Sequence, residues 1–408
     1  MATYRGFTGW RSISKVEEAA YDTAATIAAT YRNAADPMNL VVELADSTEL
    51  VGSAAEEVND QEIMALHSEG AETLPRLRPN EAALFLAFFF GNLNQSPANE
   101  PAANYYTHTI TPRPVTFTTS AQDGSVVPLT TIAVEDTSSW PATGTLYVEA
   151  SGNTWTYGGK TATSFTTVNS CNDNLANNTA LHLKQPDYDY LLPSFTVLDY
   201  IGAALKKQWP GCLLQSLGIA GERKGFVRLT AQIVGSGTTT SPATARPAEV
   251  TEVYLKVGDA TVTRGGTWNG TVFSGGTSIN AACRSFDWSV SQDIPDDLVY
   301  LMGGSTKMGR GERLRRSQTL KMVLEFNSDT EKAFVLDQTN MNFQINLAGA
   351  TGSYAVKLIF PSITFKGIQM TGETGVLVET MDASVFHHTT YGSMFAQVIN
   401  KQVDYLHA

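Results

Sequence analysis

Five cations crowd residues 307–316 of the 408-residue chain: Lys307, Arg310, Arg313, Arg315 and Arg316, interrupted only by Glu312 and flanked by Gly303, Gly304, Gly309 and Gly311. A glycine-rich basic loop can hold phosphate through its backbone amides and cations. The same loop could reach an acidic patch on a neighbouring copy, or simply be solvated. Other residues that could do chemistry are scattered. His387 and His388 are adjacent, and neighbours in a strand point to opposite faces, so they do not jointly ligate one metal. Asp296-Asp297 and Glu56-Glu57 are adjacent carboxylates, whereas acid/base catalysis needs two groups converging across a cleft. There is no GxSxG, HExxH, P-loop or strand-linked GxGxxG. The three cysteines, Cys171, Cys212 and Cys283, form no CxxC or Cys/His cluster, which points to a reducing cytoplasm with no disulfide framework and no zinc site. The expectation is a protein that is not an enzyme and has no cofactor, no metal and no catalytic residue.

Acidic charge is concentrated elsewhere. Between Glu17 and Glu72 thirteen acids face one base, Arg32, and this segment alone matches the net charge of −12 carried by the whole chain. A surface built to bind DNA would show the opposite sign, because affinity comes from cations neutralising phosphates. An acidic wall repels DNA and lets it slide. Within this block Glu43, Asp46, Glu49, Glu56, Glu57, Asp60 and Glu62 are the candidates for a surface that faces DNA or meets a neighbouring copy, the alternative being an ordinary solvated acidic face. No apolar run reaches 18 residues, so no membrane span is expected. The first ten residues lack a basic region leading into an apolar stretch, so no secretory signal is expected either.

The elements that carry these residues read mainly as strands and turns. Met38 to Leu44 reads as a strand, and Glu49 to Ala71 as a polar loop or weak helix. Residues Glu81 to Phe90, EAALFLAFFF, read as a core helix apolar on nearly every side, with Asn80 as N-cap and Gly91 in the left-handed C′ position. A second helix is expected after Ser328, where Ser328-Asp329-Thr330-Glu331 has capping-box form. Thr319 to Phe326 and Phe343 to Leu347 alternate as strands, and two further strands are expected on either side of Pro361. Between residues 119 and 187 short strand candidates, Ile132 to Val134, Leu146 to Ala150, Thr154 to Tyr157 and Ser164 to Val168, are separated by turn residues. Trp140, Trp155 and Tyr157 there could form the core of a module, or an aromatic platform for surface sugars.

Several phrases in fixed order resemble the bacteriophage tail tube protein family. They are Tyr106 to Pro112, Leu192 to Val197, the step Gly211-Cys212, Phe226 to Val234, and Gly235 to Gly237. Ser285 to Asp293, Thr319 to Phe326, Phe343 to Leu347, the pair around Pro361 and Gly375 to Thr380 follow. The stretch between the first two phrases resembles a small β module found in phage tail and baseplate proteins. This divides the chain into a tail tube domain over 1–118 and 188–408, and an inserted β domain over 119–187 on the tube exterior.

The resemblance implies a mainly β fold, a sandwich or half-barrel with a flanking helix. Two long hairpins per subunit would join those of neighbours into a closed multi-subunit barrel. It implies stacked, hexameric rings in the virion tail, assembled in the host cytoplasm. An acidic channel would conduct DNA and a tape-measure protein without specific binding. The partners implied are other copies of the chain, baseplate and terminator proteins, and in some tails a sheath. The alternative is a carbohydrate-binding tail or fibre protein acting in host-surface recognition through the inserted module.

Overall fold

Alternating apolar and polar residues bury every second side chain of a strand, and the fold follows that rule along most of its length. In the computed structural model the described residues are 8–27, 30–32, 37–46, 61–95, 104–112, 118–123, 129–137, 140, 143–148, 153–171, 175, 179–183, 192–201, 205–242, 247–248, 252–294, 300, 306–311, 315–326, 330–348, 354–373, 375–389, 391–402 and 405–406. The N-terminal part holds β1 (Thr8–Ile13), β2 (Thr30–Arg32), β3 (Asn39–Asp46), β4 (Gln61–Leu74), helix α1 (Pro79–Phe90), β5 (Gly91–Gln95) and β6 (Tyr106–Pro112). A second group comprises β7 (Thr118–Asp123), β8 (Leu129–Val134), β9 (Gly144–Tyr147), β10 (Thr154–Lys160), β11 (Ser164–Cys171) and β12 (Ala180–Leu183). Next come β13 (Phe195–Ile201), β14 (Leu205–Glu222), β15 (Arg228–Gly235), β16 (Ala260–Arg264), and the short β17 (Thr267–Trp268), β18 (Phe273–Ser274) and β19 (Thr277–Ser278). The remainder is β20 (Cys283–Gln292), β21 (Arg316–Glu325), α2 (Thr330–Leu336), β22 (Met341–Ala348), β23 (Ala355–Glu373), β24 (Val376–Val385) and β25 (Phe395–Asn400).

An antiparallel series runs β3–β4–β15–β14–β20–β21–β24–β23. Beyond it, β23 pairs with β22 and with β25, and β25 leads through β6 to β5. The first half of β14 carries a branch through β13 to β1 and β2. Strand β21 shows the alternation clearly: Leu320, Met322 and Leu324 are buried, while Thr319 and Lys321 are exposed.

The curved sheet wraps α1, which lies against β14, β25 and β6. All twelve of its residues are buried, as expected for a helix apolar on every side. Phe88 packs on Phe195 at 4.9 Å and Phe90 stacks near Trp288 at 6.3 Å. Each such Phe contributes roughly 1.5–3 kcal/mol by leaving water. Gly91 ends the helix at φ 76°, donating its N–H to the Ala87 carbonyl. The N-cap is Arg78 rather than Asn80, because Pro79 occupies the first turn and starts the helix earlier. The Glu81 carboxylate accepts the Arg78 N–H at 2.8 Å, and Asn80 accepts a hydrogen bond from Tyr405.

Two further expectations are corrected. Residues 61–71 are neither loop nor helix: they belong to β4, whose backbone is held on one side by β3 and on the other by β15. Cross-strand pairing overrides the weak helical character of this charged sequence. The two strands expected around Pro361 are one long strand, Ala355–Glu373. It changes partners at Pro361, with Ala355–Ile359 on β25 and Ile363–Glu373 on β24, so the missing N–H falls where no ladder bond is required. The capping residues expected before α2 lie in part outside the described residues, as does 49–60.

Strands β7, β8, β11, β10, β9 and β12 close on one another as a six-stranded barrel. It has its own core, including Ile132, Leu146, Phe165 and Leu181. Among the described residues, closure leaves no free strand edge within this unit.

Candidate inter-subunit surfaces

Two hairpins carry apolar side chains into solvent. In the first, β3–β4, Leu40, Val42, Leu44, Ile63 and Met64 are all exposed, Met64 to 59%. Among the described residues β3 pairs with β4 alone, so its outer edge presents unpaired backbone groups beside exposed apolar side chains. In the second, β23–β24, the outer part exposes Met370, Val376 and Leu377. Contiguous exposed apolar surface of this kind marks a contact with another chain or an aggregation hazard.

The root of the first hairpin is anchored by a buried charge cluster. Arg11 on β1 is fully buried and donates to Asp199 of β13 at 2.8 Å, to Glu72 of β4 at 2.9 Å and to the Ala71 carbonyl at 3.0 Å. Asp199 also accepts the Met38 N–H at 2.9 Å, where the chain enters β3. Burial pushes the Glu72 carboxyl up to about 7, opposed by Arg11. For Arg11 the same burial acts downward but its two carboxylate partners outweigh it. The two shifts pull in different directions for one cluster, and the close bidentate geometry favours the ionised pair.

The N-terminal segment is strapped across the β13–β14–β15 region by its acids. Glu18 is buried and accepts from the Thr196 hydroxyl at 2.6 Å and from the Gly211 N–H at 2.9 Å. Burial raises its pKa, and these hydrogen bonds oppose the shift. Asp22 accepts from Ser236 and Thr238. Gly211 at φ 69° makes the close approach: a Cβ there would lie 2.9 Å from the Ser236 Cβ.

In the basic segment, the candidate contact with another copy, Thr306, Met308, Arg310 and Arg316 lie against their own subunit, while Lys307 and Arg315 are exposed. Met308 inserts beside Leu192 and Leu213, and the Leu66 backbone bonds both Thr306 and Met308. Arg310 pairs with Glu17 at 2.5 Å and donates to the Leu192 carbonyl at 2.9 Å. Arg316 donates to the Phe89 carbonyl at 2.8 Å in the last turn of α1, with its guanidinium over Phe89 and Phe90. A cation there complements the helix C-terminus, so Arg316 is a structural cap. Lys307 donates to the Thr238 hydroxyl at 2.8 Å, Arg315 is exposed, and Arg313 lies outside the described residues. The acidic and basic blocks therefore do meet, but the Glu17–Arg310 contact is made within one chain.

Of the candidate acids, Glu43 and Glu62 are exposed on the first hairpin and Asp46 ends β3, whereas Glu49, Glu56, Glu57 and Asp60 lie outside the described residues. Asp296-Asp297 also lies outside them. His388 stacks on Tyr391 at 4.9 Å and accepts its N–H, while His387 is exposed. Trp140, Trp155 and Tyr157 are buried inside the six-stranded barrel, with Trp140 and Tyr157 against Phe165, so none offers a sugar-stacking face. Sequence reasoning missed the Arg11 cluster: Arg11, Glu72 and Asp199 are far apart in the chain, and no local pattern signals their convergence.

Compared with known proteins, the chain matches the family model described as "Phage tail tube protein" over residues 11–385. No curated protein matches it.

Proposed function

Because the chain belongs to the phage tail tube protein family, and hence to a family of structural components of the virion tail, we propose that it forms stacked hexameric rings whose channel conducts the genome into the host. The observation that carries this reading is the first hairpin, an unpaired edge strand with Leu40, Val42, Leu44, Ile63 and Met64 in solvent. Pairing that edge with a neighbour, repeated around a rotation until the ring closes, removes an aggregation-prone edge and covers the apolar residues. The second hairpin, with Met370, Val376 and Leu377 exposed, supplies further surface of the same character.

The role is passive and structural rather than catalytic. The first hairpin and its connection, residues 39–74, carry acids and no Lys or Arg, and those acids not taken up between copies would present negative charge to DNA passing through the lumen and keep it from sticking. Other copies of the chain, a tape-measure protein, baseplate and terminator proteins are the partners, and assembly takes place in the host cytoplasm. The barrel at 118–183 decorates the tube exterior, since it has a core of its own.

Negative-stain microscopy of the concentrated purified protein tests the reading. Hollow rings or tubes are expected, and Leu44→Lys should abolish them while the far-ultraviolet circular dichroism is unchanged. Monodisperse single subunits at high concentration would remove the tube assignment.

A further inference from the structure

Resting on the tube reading above, we propose that the crevice formed by Arg223, Lys224 and Arg284 receives Glu43 and Glu62 of the first hairpin from the next copy along the tube axis. The contact would give the stack its direction.

The crevice has a volume of about 180 Å³ and is also lined by Asn280, Cys283 and Ser285. Its walls are held by backbone bonds: the Arg223 N–H donates to the Arg284 carbonyl at 2.8 Å, and the Gly225 N–H to the Glu222 carbonyl at 2.9 Å. Lys224 sits at φ 66°, a left-handed turn position that leaves its side chain exposed. The site already holds one carboxylate, since Glu325 accepts from Arg223 at 2.8 Å and from Arg284 at 3.1 Å. Beside that carboxylate the Arg223 side chain stays about half exposed and Lys224 is exposed, so both can meet a carboxylate from another copy.

Strand register places donor and acceptor at opposite ends of one sheet. Glu222 pairs with Ser285 and Leu229 with Leu74, so the crevice lies at the end where β4 finishes. Gly235 pairs with Ser68, and β4 extends beyond it to Gln61, opposite Asp46. From Leu74 back to Glu62 the strand spans roughly 40 Å at about 3.3 Å per residue. A single copy cannot bring these ends together. Head-to-tail contact between them is heterologous and generates an open filament along the strand direction, distinct from the closed contact around the ring. Apolar surface is matched as well, because the tip of the second hairpin projects beyond the crevice end and the first hairpin beyond the other.

The experiment compares wild-type protein with Arg223→Glu/Lys224→Glu and Glu43→Lys/Glu62→Lys, each checked for native circular dichroism. All four side chains are exposed, so folding is retained. Each variant alone is expected to raise the critical concentration for tubes by about tenfold or more, because like charges then face each other. An equimolar mixture of the two should restore tubes by alternating the reversed ends. Wild-type tubes with either variant unchanged in length and salt tolerance, or no rescue on mixing, overturn the crevice contact and leave the ring reading standing. Failure of the wild type to polymerise at any concentration overturns both.

Discussion

Replacing Arg11 with Met should be among the most damaging single changes to the subunit. The side chain is fully buried and holds three partners at 2.8–3.0 Å, two of them carboxylates themselves almost wholly excluded from water. Methionine fills much of the volume but leaves Glu72 and Asp199 without a cation. Breaking a buried pair from one side costs about 3–5 kcal/mol, a large part of the roughly 5–15 kcal/mol that holds a domain folded. The loss should depend on pH. Burial already raises the Glu72 pKa to about 7, and Arg11 is what opposes that rise. Without Arg11 the folded-state pKa moves higher still. A raised folded pKa leaves stability fully present below the unfolded value and removes it as pH climbs towards the folded one. The deficit of Arg11→Met relative to wild type should therefore grow as pH climbs above about 7, where wild-type Glu72 ionises beside Arg11 and the variant's Glu72 cannot, and should level off below pH 7, where both folded proteins hold the proton. Urea unfolding followed by tryptophan fluorescence, below the assembly concentration, measures both effects. Adding Glu72→Met and Asp199→Asn should recover most of the loss, since Asn retains an acceptor for the Met38 N–H. A loss under about 1 kcal/mol, or one independent of pH, would refute the argument by showing that water reaches the cluster.

Excising residues 119–187 and bridging with a short Gly/Ser linker should leave the main sheet folded and tube assembly intact, because the barrel strands pair among themselves; loss of folding by circular dichroism would place the module inside the tube scaffold. Gly211→Ala should destabilise by about 1–3 kcal/mol, since a side chain is strained at φ 69° and meets Ser236; an unchanged urea midpoint would contradict this. Arg316→Glu should lower the thermal midpoint by stripping the cap from α1, while Lys307→Glu with Arg315→Glu should not, and differential scanning fluorimetry separates the two.

Much of the fold is legible locally because its causes are local. Leu320, Met322 and Leu324 alternate into the core, and Glu81 to Phe90 is too uniformly apolar to sit anywhere but under a sheet. Gly91 marks the helix end because it alone tolerates the left-handed turn there at no steric cost. Ordered phrases from Tyr106 to Thr380 carry the family, since strand-edge residues recur wherever the same strands must start and stop. What stayed hidden depends on residues distant in the chain. Nothing in QEIMALHSEGAETL specifies a strand until β3 and β15 flank it. Nor does the run of cations at 307–316 reveal that Arg310 is paired with Glu17 and Arg316 caps a helix. Composition determined that the protein is acidic and built of strands; only tertiary structure decided which charges are spent inside the subunit and which remain to meet a neighbour, because burial and pairing are set by where the sheet brings its strands together.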